Sequence, residues 1–306
     1  MSRLDPLGER QEFIEAMEAQ RELSSLGELG QQPAHDVPPT GVARPQQASL
    51  TPELPRSDVS LEDSRGRIYD RGHGGRLRDS EIRILADVGK FRVVATADLT
   101  HLACNGRSEE AQQDLQNLLR QGLIRKGTFA GPEQSSLELL TLTKRGYDLV
   151  STCHMVTRNQ AVYHGFGRSR DANHDADLYK LYRKGLLHVA KEGGRNPRVI
   201  LDFEMIRKIN RDIAKLGRDA RPEIARHHGL RMVRNRIPVP DMRIEYEQPD
   251  GQTARIDLEL VTEHYRGSSL ADKVKAGFSL YTPRGEADRL RRILDGQELT
   301  AEIFSL

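Results

Sequence analysis

The 306-residue sequence predicts an α/β protein of the α+β kind in three parts. Three observations predict it. The stretch from Gly30 to Arg76 is rich in Pro, Gln, Gly and Ser, and so few large apolar residues cannot offset chain entropy. Residues 78–152 carry three helix-like patterns and then two strand-like ones. Residues 153–306 alternate helix and strand patterns around one well-marked hairpin, Ile237 to Val261. The parts are expected at 1–77, a largely disordered tail; 78–152, a small helical domain with a wing; and 153–306, an α/β domain.

In the tail, Pro6 to Ser25 has the spacing of one helix, with Phe13, Ile14 and Met17 on one side. Alone such a helix is marginal; it either docks on a partner or frays. From residue 78 the elements follow in order. Asp79 is placed to cap a helix with Ile82, Leu85 and Ala86 inward. Thr96 caps a second, with Leu99, Leu102 and Ala103 inward, and the turn Asn105-Gly106-Arg107 ends it. Ser108 opens a third, whose apolar row is Ala111, Leu115, Leu118 and Leu119 and whose C-terminal cap is Gly122. Strands at Leu123–Phe129 and Leu137–Leu142 flank a turn at Gly131-Pro132, and a last helix starts near Thr143. Three helices followed by a two-stranded wing are a winged helix-turn-helix.

The outward face of the third helix carries Gln112, Gln113, Gln116, Asn117 and Arg120. Amides and guanidinium groups read base edges bidentately, and Arg125 and Lys126 stand ready for phosphates beside the wing. Glu109 and Glu110, at the helix N-terminus, leave a protein-docking role open.

In the third part, a helix from His174 to Lys191 aligns Leu178, Leu181, Tyr182 and Val189. Arg198–Phe203 reads as a buried strand, and Glu204–Leu216 as a helix with Ile206, Ile209 and Ile213 inward. A basic stretch, Arg218 to Arg236, includes Arg226, Arg231 and Arg234. Beyond the hairpin come a helix Leu270–Ala276, a strand Phe278–Thr282, a helix Gly285–Leu294 and a strand Thr300–Leu306.

The hairpin's register is legible. Pro249-Asp250-Gly251 suits a three-residue connection with Gly in the left-handed position. Folding about Asp250 sets Met242 opposite Leu258, Ile244 opposite Ile256 and Tyr246 opposite Ala254, an apolar face. On the other face, Glu245 meets Arg255 and Arg243 meets Asp257, both attractive. The next pair outward, Asp241 and Glu259, breaks the pattern. Two carboxylates about 5 Å apart repel by roughly 3 kcal/mol at an effective dielectric of ~20. Either water screens them or a cation lies between them, and the cation reading points to a divalent metal and phosphodiester chemistry.

Charge and composition bound the function. The net charge of +2 hides a middle segment, residues 151–236, with 19 Lys and Arg against nine Asp and Glu. A surface of that sign faces a polyanion or is a solvated helix face. No apolar run approaches the roughly 20 residues of a membrane span, and no signal-peptide pattern opens the chain. Two cysteines, Cys104 and Cys153, without metal-like spacing argue against a disulfide scaffold or zinc finger. A cytoplasmic location and no membrane partner are expected. There are no internal repeats.

The order helix, strand, hairpin, helix, strand, with Pro240-Asp241 and then Glu259 on the next strand, resembles the restriction-endonuclease-like, PD-(D/E)xK, fold. With the winged helix, and with Lys273 and Phe278-Ser-Leu-Tyr281-Thr-Pro283 following, residues 78–295 resemble the plasmid replication-relaxation family. The resemblance implies a DNA-binding accessory protein of plasmid or mobile-element replication and mobilisation. Its partners would be double-stranded DNA and a relaxase or replication protein. It implies a metal site, Asp241 and Glu259 holding Mg²⁺ or Mn²⁺, and catalytic residues Asp241, Glu259 and Lys273. The superfamily's lysine belongs two residues after Glu259, where this chain has Val261; Lys273, on the next helix, is either a migrated lysine, as the resemblance allows, or a solvated helix residue. Glu263 and His264 would supplement the site, and His174 and Asp175 are either partners of it or a helix cap. A winged-helix transcriptional regulator with a C-terminal dimerisation or effector domain is the alternative, and an adaptor for a relaxase a third reading.

Overall fold

Two apolar surfaces, one on a small three-stranded sheet and one on a five-stranded sheet, are covered by a single shared helix. The computed structural model describes residues 66–306 apart from 71–72, 104–107, 131–134, 154, 168–171, 263–264, 266, 284, 297–298 and 300. The Pro6–Ser25 helix, the Asn105-Gly106-Arg107 turn, the wing tip at Gly131-Pro132, Cys104, Glu263 and His264 lie outside the described residues. The protein is mixed α/β, as expected.

The first described elements fall within the segment expected to be a largely disordered tail. Strands β1 (Gly66–Asp70) and β2 (His73–Leu77) pair antiparallel as a separate ribbon. The apolar anchor Leu77, buried in the main core, lies just past the Gly30–Arg76 stretch whose composition reads as tail.

Helix α1 (Asp79–Lys90) follows, capped by Arg78 rather than Asp79, because Glu81 turns back to accept the Arg78 backbone N–H at 2.7 Å. Leu85 and Ala86 are buried as expected. Strand β3 (Val94–Ala95), too short to have a sequence signature, leads into α2 (Thr96–Ala103) and α3 (Ser108–Arg120). Gly122 closes α3 at φ +66°. Strands β4 (Ile124–Ala130) and β5 (Ser136–Leu142) pair antiparallel, with sheet order β3-β5-β4. Thr143 then caps α4 (Lys144–Thr152), its hydroxyl accepting from the Gly146 N–H at 3.1 Å.

Helix α5 (Ala172–Lys191) is the shared element. Its N-terminal half meets α2 and β3, and its C-terminal half meets the large sheet. Phe91 packs 5.6 and 5.4 Å from the ring centres of Tyr179 and Tyr182. Beneath it, Lys90 Nζ reaches Asp87 at 2.9 Å and the Tyr182 hydroxyl at 3.0 Å, while the Tyr179 hydroxyl donates to Asp87 at 3.1 Å. This paired network satisfies the polar groups that the packing buries. The connecting segment adds a second tie. The Gln160 amide donates to and accepts from Val199 at 3.0 and 2.8 Å, taking the place of a neighbouring strand at the sheet edge.

The large sheet has the order β10-β9-β8-β7-β6. Its elements are β6 (Arg195–Leu201), α6 (Asp202–Leu216), a 3₁₀ turn at Arg218–Ala220, α7 (Arg221–His227), β7 (Met242–Glu247) and β8 (Thr253–Leu260). Then come α8 (Gly267–Ala276), β9 (Ser279–Thr282), α9 (Ala287–Asp295) and β10 (Ile303–Ser305). Strands β6, β7 and β8 are antiparallel, whereas β8, β9 and β10 run parallel across helical crossovers. Two expectations need correcting. Asp202 and Phe203 begin α6 instead of ending the strand, because Glu204 accepts the Leu201 N–H at 3.2 Å and starts the helix there. That start turns Met205 inward with Ile209 and leaves Ile206 exposed.

Candidate functional site

The hairpin pairs in the expected register, from Met242 with Leu258 to Glu247 with Thr253, and Gly251 takes φ +83°. Met242, Ile244 and Leu258 are buried beneath α5. On the opposite face, Arg243 grips Asp257 through two bonds of 2.6 and 2.8 Å, while Glu245 turns to Arg198 of β6 at 3.4 Å. Arg243 also donates to the carbonyls of His228 and Gly229 at 2.6 and 3.4 Å, so a buried guanidinium tethers the basic loop to the sheet.

Asp241 and Glu259 come together at the mouth of this hairpin. The Asp241 N–H donates to Glu259 Oε2 at 3.2 Å, and the Leu260 N–H donates to Asp241 Oδ2 at 2.8 Å. The other Asp241 oxygen lies 3.6 Å from His174 Nε2, in the first turn of α5. Lys273 extends back from α8 to this pair. Its Nζ lies 2.7 Å from Glu259 Oε1 and donates to the Val239 carbonyl at 2.8 Å. The Tyr265 hydroxyl donates to the same Glu259 oxygen. The positive charge beside the two carboxylates is thus the chain's own ammonium. Val261, at the superfamily's lysine position, is buried among Leu270, Leu280 and Leu290.

Glu259 is wholly inaccessible to solvent. Burial, and then the Asp241 charge, push its carboxyl up to about 7, against the opposing pull of Lys273 and Tyr265. Burial likewise raises the Asp202 carboxyl, which senses Asp241 and His174, and the Tyr265 phenol. Asp202 and Tyr265 were not foreseen. Asp202 was read as the end of a strand, and a lone tyrosine in a loop has no sequence signal.

The donor set bears on a divalent metal. Both Glu259 oxygens and one Asp241 oxygen already accept hydrogen bonds from the protein. Among the described residues no group of three His, Cys, Asp or Glu is gathered to hold a metal ion. As arranged, these residues do not fit a resident Mg²⁺ or Mn²⁺, since a cation would have to displace Lys273 from Glu259.

The residues expected at DNA fall in two places. Gln112, Gln113, Gln116 and Arg120 are exposed along α3. Asn117 is half-buried and donates to Glu81, so its amide serves the α1–α3 contact. On β4, Arg125 lies 4.9 Å over the Phe166 ring and Lys126 pairs with Glu138 at 2.9 Å. Arg226, Arg231 and Arg234 are exposed around α7 and the loop after it. There Arg234 and Asn235 form the left-handed tip of a tight turn bridged by Val233 and Arg236, and Arg234 lies 3.3 Å from Asp272 of α8.

No family model matches the chain, and no curated protein is similar to it. Among solved structures it is similar to Bacillus subtilis PadR in complex with operator DNA. The match has 15% identity and a TM-score of 0.23, over 51% of this chain and 80% of that one. A likeness of that degree carries no argument about fold or activity. No described helix is long and apolar enough to cross a membrane.

Proposed function

We propose that the protein is a DNA-binding accessory factor of plasmid or mobile-element replication or mobilisation. In this reading, residues 78–152 act as a winged helix that locates a site on double-stranded DNA. Residues 153–306 act as a PD-(D/E)xK-like domain that grips the duplex without cutting it, and a relaxase or replication protein is the partner served. The observation that carries the reading is the exposed row Gln112, Gln113, Gln116 and Arg120 on α3, the helix that precedes the wing. The exposed Arg226, Arg231 and Arg234 supply phosphate contacts, and the Lys273–Glu259 pairing favours a nuclease-like domain that binds over one that cleaves.

The electrostatic part is tested by salt. Affinity for a duplex should fall steeply with salt concentration, because released counterions dominate the free energy. Replacing Arg226, Arg231 and Arg234 with Gln should reduce the slope of log K against log salt by about 3 × 0.9, near 2.7. An unchanged slope would move the contact surface elsewhere.

The catalytic part is tested on supercoiled plasmid with and without Mn²⁺. Binding without nicking is expected. Mn²⁺-dependent nicking that disappears in Asp241→Ala would replace the accessory reading with a cleaving one. Footprinting separates the regulator alternative: a palindromic operator favours it, and a single asymmetric site favours the accessory factor.

A further inference from the structure

A cleft of about 630 Å³ opens where the segment between α4 and α5 runs beside the end of α1. That size lies within the range of small-molecule sites. Lys144 and Tyr147 of α4 line one part of it, Tyr163 and His164 another, and Arg92, between α1 and β3, a third. The backbone fixes these walls. The Tyr163 N–H donates to the Gly89 carbonyl at 2.8 Å, and the Gly165 N–H donates to the Leu142 carbonyl of β5 at 2.9 Å.

None of the residues lining the cleft is acidic. Arg92 lies 3.9 Å over the Phe203 ring, and Phe203 packs edge-on to Tyr163 at 5.3 Å. Stacking holds a guanidinium by its face and leaves its N–H edge open. Among the described residues no hydrogen bond or ion pair occupies that edge, although the Asp202 carboxyl feels its charge. Arg125 repeats the arrangement at the rim. It lies 4.9 Å over Phe166, and one Nη atom stands 3.5 Å from where a side chain on Gly165 would begin. The exposed His164 ring packs 4.9 Å from that of Tyr147, and Lys144 lies 5.0 Å over the same tyrosine while pairing with Asp148. Cations gathered in a concavity without carboxylates, beside aromatic rings, suit an anion that carries a flat ring.

We propose that this cleft binds a nucleotide, Arg92 and His164 holding its phosphate and the rings of Tyr147 and Tyr163 contacting its base. A guanidinium edge donates two parallel N–H bonds to phosphate oxygens, and an anion favours the charged form of a neighbouring imidazole. A free mononucleotide and a nucleotide unit of a single strand offer the same chemistry, and the experiment separates these two sources. The inference does not rest on the DNA-binding reading, which uses the outer row of α3 and the arginines around α7.

The test is titration calorimetry on the full chain with adenosine 5′-monophosphate, adenosine, inorganic phosphate and a short single-stranded oligothymidylate. The monophosphate should bind, and adenosine should bind about tenfold more weakly or worse, because it lacks the charged acceptor. Arg92→Gln and His164→Asn should each weaken the monophosphate by about tenfold or more. His164 is exposed, so its variant should melt with wild type and keeps the test decisive if Arg92→Gln disturbs the Phe203 stack. If the oligothymidylate binds, the monophosphate does not, and both variants weaken it, the site stands with a strand as its source. Inorganic phosphate binding as tightly as the monophosphate would make the cleft a bare anion site and overturn the proposal. So would the absence of binding by either nucleotide probe at millimolar concentration, or binding unchanged in both variants. Duplex affinity that persists in the two variants leaves the DNA-binding reading intact whichever way the cleft falls.

Discussion

Lys273→Met is expected to destabilise the fold by about 3–5 kcal/mol, because it leaves one half of a buried ion pair uncompensated. Glu259 would keep its Tyr265 and Asp241 N–H bonds but lose the only cation its carboxylate touches among the described residues. The pH dependence follows from the direction of the shift. The Glu259 carboxyl is pushed up from its usual 4.5 to about 7, so the folded state holds a proton that the unfolded state releases. Its contribution is fully present below about 4.5 and is lost as pH rises through 7. Without Lys273 the carboxyl rises further, so the deficit against wild type should be large at pH 8 and narrow at pH 5. Glu259→Gln in the Lys273→Met background should recover much of the loss, because the amide needs no counter-charge. Chemical denaturation of wild type, Lys273→Met and the double variant at both pH values checks this. A deficit independent of pH, or no recovery by Glu259→Gln, would mean that Lys273 matters for its packing alone.

Gly146→Ala should be nearly as damaging and for an unrelated reason. Gly146 lies in the first turn of α4, where Ala normally gains about 1 kcal/mol over Gly from helix propensity. Here a Cβ would stand 2.0 Å from the Leu123 carbonyl oxygen. That carbonyl cannot step aside cheaply, since it accepts the Thr143 N–H at 3.0 Å and anchors β4 to the cap of α4. Overpacking of this kind costs typically 1–3 kcal/mol and more when backbone must move, so a net loss of about 2–3 kcal/mol is expected. A melting temperature equal to or above wild type would show that α4 shifts freely against β4.

The hairpin was the most legible element because two independent constraints agree on its register. The Pro249-Asp250-Gly251 turn sets the pairing, and the alternation of Met242, Ile244 and Tyr246 selects the buried face. Lys273 was legible as a candidate only through a resemblance, since nothing local marks a helix lysine as a partner for a glutamate on the preceding strand. Asp202 and Tyr265 reach the site through chain reversals that leave no periodic trace. The ribbon at 66–77 was hidden for a different reason. Its Gly and Arg content lowers mean apolarity below what a core needs, and one buried leucine holds it to the core.

By itself the sequence determined the order of the longer helices and strands from residue 79 onward, the helix cap at Gly122, the hairpin register and the nearness of Asp241 to Glu259. All of these follow from short-range periodicity and turn chemistry. Only the tertiary structure decided what lies beside those two acids. The parallel crossover from β8 through α8 to β9 carries Lys273 back over the hairpin mouth. The buried Glu259 there is satisfied by an ammonium and a phenol from the chain itself. Burial is a property of the assembled layers, and it sets how costly an unpaired carboxylate is; no local window of sequence contains it.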